Sequence, residues 1–538
     1  MVVSHLIKLY VMKHIATIAA LMASLTATAQ KPVKYTIQLS EPGQTVLHFG
    51  ASDAWSMDKL GLWPKAQREQ VADWLFSLDT TATGQPKGIG LSLWRFNLGA
   101  GSAGQGDSAR IQPSTRTECV LQPDGTYDWS RQLGQRRFLR MARRRGVPYL
   151  LAFMNSVPVY FTQNALATNT GRGGTMNIRP DGYEPTARYV ATALKGIEQR
   201  DSVRFSYVSP VNEPDASWNW QGPKQEGTPA TNRETARLAR AVSRELRRKG
   251  LTAQVAVNES SDLRCLLGTY HTDWTRANGL AALFCPDSTL SYVGNLPNVT
   301  RAILAHSYWT NTPVDTMRVM RQRLRQAARQ WGVSYWQSEV CIMGNDEEIG
   351  GGGRFDFSML TALYVARMMH YDLVYGNAAS WSWWRAAGGD YKDGLLRVMS
   401  DNGWRSGRVL PSKLLWTMGN YSRFVRPGAV RFNVTASDAD GHDLAFADTQ
   451  PRGVMISAYR NTDGSWAAVA VNYAEGERNI QLDFSDGSSR TWTMYRTSDA
   501  FDENLKPVGH ARGEARLMPR SVTTFVTKPS NMTAKALK

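Results

Sequence analysis

The sequence predicts an α/β fold, a (β/α)8 TIM barrel followed by an additional C-terminal antiparallel β-sandwich domain. Three observations lead there. From about residue 46 to 425 a short apolar run, a polar and aromatic loop and an amphipathic stretch alternate repeatedly, as parallel strands joined by helical crossovers do. Three amphipathic stretches are long, Asp128–Gly146, Thr231–Gly250 and Thr316–Trp331. From about Pro427 the texture changes to short alternating runs between Gly, Asp, Asn and Ser turns, the mark of an antiparallel β-domain.

Taken in order, residues 1–29 read as a signal peptide. Lys8, Lys13 and His14 precede the apolar run Ile15 to Leu25, and Ala27-Thr28-Ala29 offers a small-residue cleavage pattern. That run is too short and alanine-rich to span a bilayer, so no stable membrane insertion is expected. Export to the periplasm or the extracellular space is. Residues 30–45 hold an alternating segment, Val33–Ser40, expected to cross over and join the C-terminal sheet. The barrel is assigned to 46–426, with strands at Val46–Ala51, Leu91–Leu98, Tyr149–Ser156, Phe205–Glu213, Ala253–Ser260, Ala302–Tyr308, Ser334–Val340 and Ala378–Trp384. The first two long helices stop at Gly146 and Gly250, as helices commonly do. Residues 261–300 show only a broken helical pattern. The β-sandwich is assigned to 427–530 and a loose tail to 531–538.

Composition narrows the classes of function. At 42% hydrophobic residues the chain can bury a sizeable core. Its 18 tryptophans exceed what packing needs, and the surplus suits a carbohydrate cleft, where sugar CH faces lie against flat rings. The net charge is +17, which raises nucleic acid as a partner. The cations, however, sit in Arg131–Arg145, Arg237–Lys249 and Arg318–Arg329, interleaved with apolar residues at helical spacing. That is the solvated outer face of amphipathic helices, so no nucleic-acid partner is expected. A weak preference for acidic glycans stays open. The four cysteines, Cys119, Cys265, Cys285 and Cys341, have no zinc-site spacing; Cys265–Cys285 is the most plausible bridge in an exported protein.

Reactive groups in such barrels come from the C-terminal strand ends. The fourth strand ends Ser209-Pro210-Val211-Asn212-Glu213-Pro214 and the seventh Tyr335-Trp336-Gln337-Ser338-Glu339. Each puts a carboxylate where an apolar strand opens into a cleft. Glycoside hydrolysis needs such a pair, one carboxyl protonated to assist the leaving oxygen and one ionised. Asn258-Glu259 repeats the Asn-Glu pair at the fifth strand end. At about forty residues per barrel unit, Glu213 lies three units before Glu339 and Glu259 two, so Glu213 is favoured as acid/base and Glu259 as a ligand for sugar hydroxyls.

These residues resemble glycoside hydrolase family 30, in the clan of retaining β-glycosidases. The likeness rests on Asn-Glu-Pro, on Gln-Ser-Glu three units later, and on Phe49–Ser56, Arg95–Gly101, Trp381-Ser382-Trp383-Trp384 and Tyr421–Gly428. It spans nearly all of the chain after the leader, and the order and spacing of the motifs carry it. The resemblance implies a hydrolase of β-linked polysaccharide working without metal or cofactor, with Glu213 as acid/base and Glu339 as nucleophile. Asn212 would bond the sugar 2-hydroxyl, and Arg95 would keep Glu339 ionised. His306 and Tyr308 would orient the nucleophile or bind substrate, and Trp381 and Trp383 would floor the sugar site. Asp53 and Trp55 would wall a subsite or cap a turn. Asn155 would bind substrate, and Trp218 with its loop would form further subsites. Arg95 as a structural ion-pair partner, His306 as a core histidine and Trp384 as core are the plain alternatives. Endo-β-1,6-galactanases are the nearest likeness. A β-1,6-glucanase, a xylanase recognising glucuronic acid, and a non-catalytic glycan-binding protein are the competing readings.

Overall fold

The structure, a computed structural model, describes residues 32–169, 173–219, 224–343, 346–401, 403–438 and 453–529. The leader, the tail and Trp220 in the loop after Glu213 lie outside these.

The described residues open with β1 (Val33–Val46), which belongs to the second domain. The eight barrel strands follow: β2 (His48–Ser52), β3 (Leu93–Asn97), β4 (Tyr149–Phe153), β5 (Tyr207–Ser209), β6 (Gln254–Ser260), β7 (Val299–His306), β8 (Ser334–Glu339) and β9 (Ser380–Gly388). Each pairs in parallel with the next, and β9 pairs with both β8 and β2 to close the ring. Helices return on the outside because each long amphipathic stretch buries one face. Asn232–Arg248 buries Leu238, Val242 and Leu246, and Thr231 and Glu234 start it with a capping box. Between β6 and β7 the broken pattern is two short helices, Leu263–Leu267 and Gly279–Phe284.

The barrel is a packed core, not a pore. At its lower end the His48 ring meets Trp336 edge-on at 4.6 Å and Tyr149 at 5.3 Å. Burial pushes His48 down to about 3, so the ring is neutral, with Nδ1 2.6 Å from Ser380 Oγ. Beyond β9 a hairpin extends the sheet: β10 (Gly394–Ser400) runs parallel to β9, and β11 (Gly407–Pro411) runs antiparallel to β10.

The second domain contains β12 (Ala429–Ser437), β13 (Val454–Arg460), β14 (Trp466–Asn472), β15 (Arg478–Phe484), β16 (Thr491–Thr497), β17 (Lys506–Arg512), β18 (Glu514–Leu517) and β19 (Ser521–Val526). With β1 they form one continuous ring, in the order β1-β12-β13-β14-β19-β16-β17-β18-β15. The pairing is antiparallel except where β1 meets β15. The first described strand is thus hydrogen-bonded on both edges to strands that follow the barrel. Helix Lys413–Ser422 links the two domains. Asn420 donates to Tyr495 O and Thr524 Oγ1 and accepts from Thr497 Oγ1, so both ends of its amide are held.

The basic runs lie largely on outer helix faces, with two exceptions. Arg136 is buried against Asp201, and Arg321 against Asp372. The cysteine expectation is corrected: all four are free thiols, and Cys265 Sγ donates to Tyr270 O instead of meeting Cys285. No helix among the described residues is long and apolar enough to cross a membrane.

Candidate active site

Arg95 stands on β3 inside the barrel, 1% exposed. Its guanidinium spreads over three partners. Nη1 donates to Glu339 Oε2 at 2.6 Å, and Nη2 donates to Asn212 Oδ1 at 2.9 Å and Glu259 Oε1 at 3.3 Å. Beneath it the Phe153 ring centroid lies 3.6 Å away, a cation–π contact that holds the planar group flat. The strand ends of β3, β5, β6 and β8 therefore converge on one cation.

A second cation closes the cluster from β7. His306 Nδ1 lies 2.9 Å from Glu213 Oε1, and Nε2 lies 3.0 Å from Glu259 Oε2. Burial alone would lower the imidazole, but the Glu339 charge and the bonds to Glu213 and Glu259 push it up to about 10. At neutral pH it is an imidazolium donating from both nitrogens. Tyr308 donates to Glu339 Oε1 at 2.9 Å. One carboxylate oxygen each from Glu213 and Glu339, with a His306 nitrogen, all lie within 4.8 Å of one another. That triangle has the spacing of a cation site as well, yet an imidazolium has no lone pair to offer a metal.

The three carboxyls differ in exposure. Glu213 keeps 13% of its side chain open, Glu339 5% and Glu259 none. Burial would raise Glu259, but the Arg95 charge, the His306 bond and charge, and the Ser338 hydroxyl hold it at about 2. Glu339 moves the other way. Burial raises it and so do the Glu213 and Glu259 charges, against His306 and Arg95, with a net rise. Arg95 lowers the Glu339 carboxyl, as expected of a cation 2.6 Å away, but burial and the Glu213 and Glu259 charges outweigh it; in Glu259, the fully enclosed member, the depressing effects prevail.

Several expectations are corrected. Glu259 is fully enclosed, its oxygens taken by Arg95, His306 and Ser338, so it is a buried counter-charge and not a ligand for sugar hydroxyls. Trp381 and Trp383 are completely buried. Trp381 Nε1 donates to Asp372 on the outer helix Met359–Val374, and Trp383 Nε1 to Asp393 O. Strand parity gives the reason: Ser380, Ser382 and Trp384 share the inner face, as the Ser380–His48 contact shows. Trp384 is core, as read: it is 7% exposed, edge-on to Trp55 at 5.5 Å and to Phe153 at 6.2 Å, beside Arg95.

Asp53 is 1% exposed and faces inward. Oδ1 accepts from Asn97 N at 2.8 Å and Oδ2 from Gln135 Nε2 at 3.1 Å, so it ties β3 to the following helix. Burial, opposed by those bonds, pushes it up to about 7. Trp218 is buried, with Nε1 donating to Glu213 O at 3.0 Å, and its ring covers Gly227, where a Cβ would meet it at 2.2 Å. It braces the Glu213 loop and offers no open platform. Beyond it Glu226 is sealed in by Ser102, Thr117 and Ala100. Trp55 is half-buried at the mouth, and its loop is pinned by Arg385, which donates to Ala54 O and Ser56 Oγ. Asn155 follows β4, 1% exposed, with neither end of its amide bonded among the described residues.

Sequence reasoning missed Phe153, Ser338 and Arg385. Ser338 precedes Glu339 and donates to Glu259. The serine in Gln-Ser-Glu was the available signal, since a hydroxyl beside a buried carboxylate is a natural partner.

The sequence pattern of O-Glycosyl hydrolase family 30 matches residues 32–397. An endo-beta-1,6-galactanase of Hypocrea rufa is 23% identical over 359 residues, covering 64% of this chain and 66% of that protein; the chain thus spans just under two thirds of that relative. A conserved exported protein from Bacteroides fragilis has a solved structure 30% identical, with a TM-score of 0.83 over 92% of this chain and 100% of that one. The catalytic domain of a GH30 xylanase C from Talaromyces cellulolyticus is 21% identical, with a TM-score of 0.63 over 92% and 100%.

Proposed function

The chain belongs to O-glycosyl hydrolase family 30, a family of retaining glycosidases, and from that premise we propose that it is an exported endo-β-1,6-galactanase-like enzyme with Glu339 as nucleophile and Glu213 as acid/base. The observation that carries this is the pair of Glu213 and Glu339 oxygens within 4.8 Å. Retaining glycosidases hold their carboxyls about 5–5.5 Å apart, whereas inverting enzymes need about 6.5–9.5 Å to admit a water.

Exposure supports the division of roles. Glu259 is held ionised and fully enclosed, Glu339 is held from both oxygens by Arg95 and Tyr308, and Glu213, the most open of the three, is the one placed to meet a leaving-group oxygen. In the first step a Glu339 oxygen bonds the anomeric carbon while Glu213 passes its proton to the departing glycosidic oxygen. Tyr308 and Arg95, each on one Glu339 oxygen, hold the carboxylate in line. In the second step Glu213, now a carboxylate, takes a proton from water as the water displaces Glu339. Asn212 spends Oδ1 on Arg95, so its NH2 is the end available to a sugar 2-hydroxyl.

The substrate reading leans on the galactanase relative and on the half-buried Trp55, whose ring suits an uncharged pyranose. The xylanase reading keeps support from the basic surface. A product assay on β-1,6-galactan, β-1,6-glucan and glucuronoxylan tests it. Galactan oligomers of mixed length are expected; turnover of glucuronoxylan alone would overturn the galactan reading, and no turnover on any panel member would favour a binding protein.

A further inference from the structure

We propose that the outer wall of the barrel carries an anion site, separate from the catalytic mouth, that holds the carboxylate or sulfate groups of an acidic polysaccharide. It rests on the glycan-hydrolase reading only in the choice of ligand.

Helices Lys65–Phe76 and Leu133–Arg144 lie side by side in the outer ring. A cavity of about 500 Å³ opens between them, lined by Lys65, Arg68, Arg137, Arg140 and Arg144, with Glu69 as its one carboxylate. Arg140 is matched by Asp201 and Arg144 by Glu69. Glu69 also serves Arg145, and Asp201 also serves Arg136, so neither acid has charge to spare. Among the described residues no carboxylate lies within ion-pair reach of Lys65, Arg68 or Arg137. Arg68 donates to Trp63 O at 2.7 Å and Arg137 to Gly61 O at 3.0 Å. One carbonyl leaves most of the donors of a guanidinium unspent.

Such crowding is unfavourable without a counter-ion. Burial and the charges of Arg68 and Arg140 hold Arg137 below the ordinary guanidinium range, which shows three cations pressing on one another. The wall is also rigid. A Cβ at Gly61 would lie 2.1 Å from Gly134 O, and one at Gly134 would lie 1.8 Å from Asp58 O, so the backbones touch and the carbonyl that holds Arg137 is fixed. A preformed, recessed set of guanidiniums suits planar carboxylates and sulfates.

Three features point to a glycan. The cavity has more room than a lone oxyanion fills, since water occupies about 30 Å³. No aromatic ring lines it, so it lacks the stacking platforms by which proteins hold single-stranded nucleic acid. It lies on the outer ring of the barrel that the proposed function makes a glycan hydrolase, so an acidic polymer of the substrate's own class is the ligand considered.

The test is affinity electrophoresis of the intact chain through gels containing polygalacturonate (carboxylate), dextran sulfate (sulfate) or neutral dextran, with a DNA oligonucleotide as competitor. Retardation by one or both acidic polymers is expected, and which one separates the two sources. Arg68→Gln with Arg137→Gln is expected to weaken it about tenfold at low salt. Lys65→Gln, which breaks no internal bond, should weaken it in the same direction. Arg460→Gln with Arg512→Gln, an equal charge change on the β-domain, should leave it within about twofold. Turnover of a short neutral glycan should not change in any variant. The proposal is overturned if neither acidic polymer retards the chain, if the β-domain pair weakens retardation equally, or if DNA displaces the polymers and loses as much affinity from the same substitutions. Absence of turnover with retardation intact would count against the catalytic reading alone.

Discussion

The backbone amide of Glu213 donates to the carbonyl of Glu259 across 2.8 Å, so the ends of two adjacent strands that both carry Asn-Glu are clamped together. Both glutamates hold positive φ, 47° and 56°, a conformation unfavourable for a side chain with a Cβ and sustained here by the surrounding contacts. The clamp turns one carboxyl up toward the mouth and the other down between Arg95 and His306. Identical dipeptides thereby acquire opposite roles.

Replacing Glu213 with Gln removes the transferable proton of the first step and the base of the second, while its amide oxygen can still face His306. Turnover of a polymer, whose leaving alcohol needs that proton, should fall about 1,000-fold or more. An aryl glycoside with a good leaving group should still show a burst of released phenol followed by slow turnover, because the first step no longer needs the acid while the second still needs the base. Burst kinetics check this; equal loss on both substrates with no burst would contradict it.

The charges around Glu339 give a paired test of sign. Glu259 raises the Glu339 carboxyl and His306 lowers it. The nucleophile works ionised, so kcat/KM rises with pH through its titration, and the raised carboxyl puts that acid limb above the ordinary glutamate range. Glu259→Gln should move the limb to lower pH, and His306→Gln to higher pH. Profiles of kcat/KM against pH report the free enzyme; shifts of the same sign would contradict the charge arrangement.

Trp55 and Trp381 separate a residue of the mouth from a core one. Trp55→Ala should raise KM about 3- to 10-fold by removing a ring contact, with a smaller change in melting temperature than the core substitution makes. Trp381→Phe deprives Asp372 of a donor, at a cost of about 1–3 kcal/mol, and should lower the melting temperature with kcat/KM unchanged. The reverse assignment would show up as the opposite pattern in the two measurements.

Asp53 carries a pH-dependent share of stability. Its carboxyl is raised to about 7 in the fold against about 3.9 in the unfolded chain. The folded state therefore binds the proton more tightly. That contribution is full below about pH 4 and is lost as pH rises through 7. Asp53→Asn removes the titration, so its urea midpoint should gain on that of the parent between pH 4 and 7. Parallel midpoints across that range would contradict the assignment.

All eight barrel strands were legible as apolar runs, because parallel strands covered on both faces cannot hide their hydrophobicity. The pairing of Glu213 and Glu339 followed from strand ends that face one mouth, whereas Arg95, Asn212, His306 and Tyr308 came with the family resemblance. What the residues did not disclose was orientation. Ser380-Trp381-Ser382-Trp383-Trp384 fits either parity, and the choice is made by the narrow interior, which takes the serines while Asp372 draws Trp381 outward. Trp218 and Asp53 sit in loops with mouth-facing positions, yet their polar atoms are spent on Glu213 O and on Asn97 and Gln135. Such long-range partners leave no local pattern. The β10–β11 hairpin went unread for a related reason, since it extends a closed barrel that needed no further strand.

The most direct measurement is peptide mass spectrometry after incubation with a 2-deoxy-2-fluoro glycoside bearing a good leaving group. The fluorine slows both steps and the leaving group rescues the first, so the glycosyl-enzyme accumulates. The expected result is one sugar mass on the peptide containing Glu339, lost when Glu339 is changed to Gln. A label on Glu213 or Glu259, or turnover that survives Glu339→Gln, would contradict it.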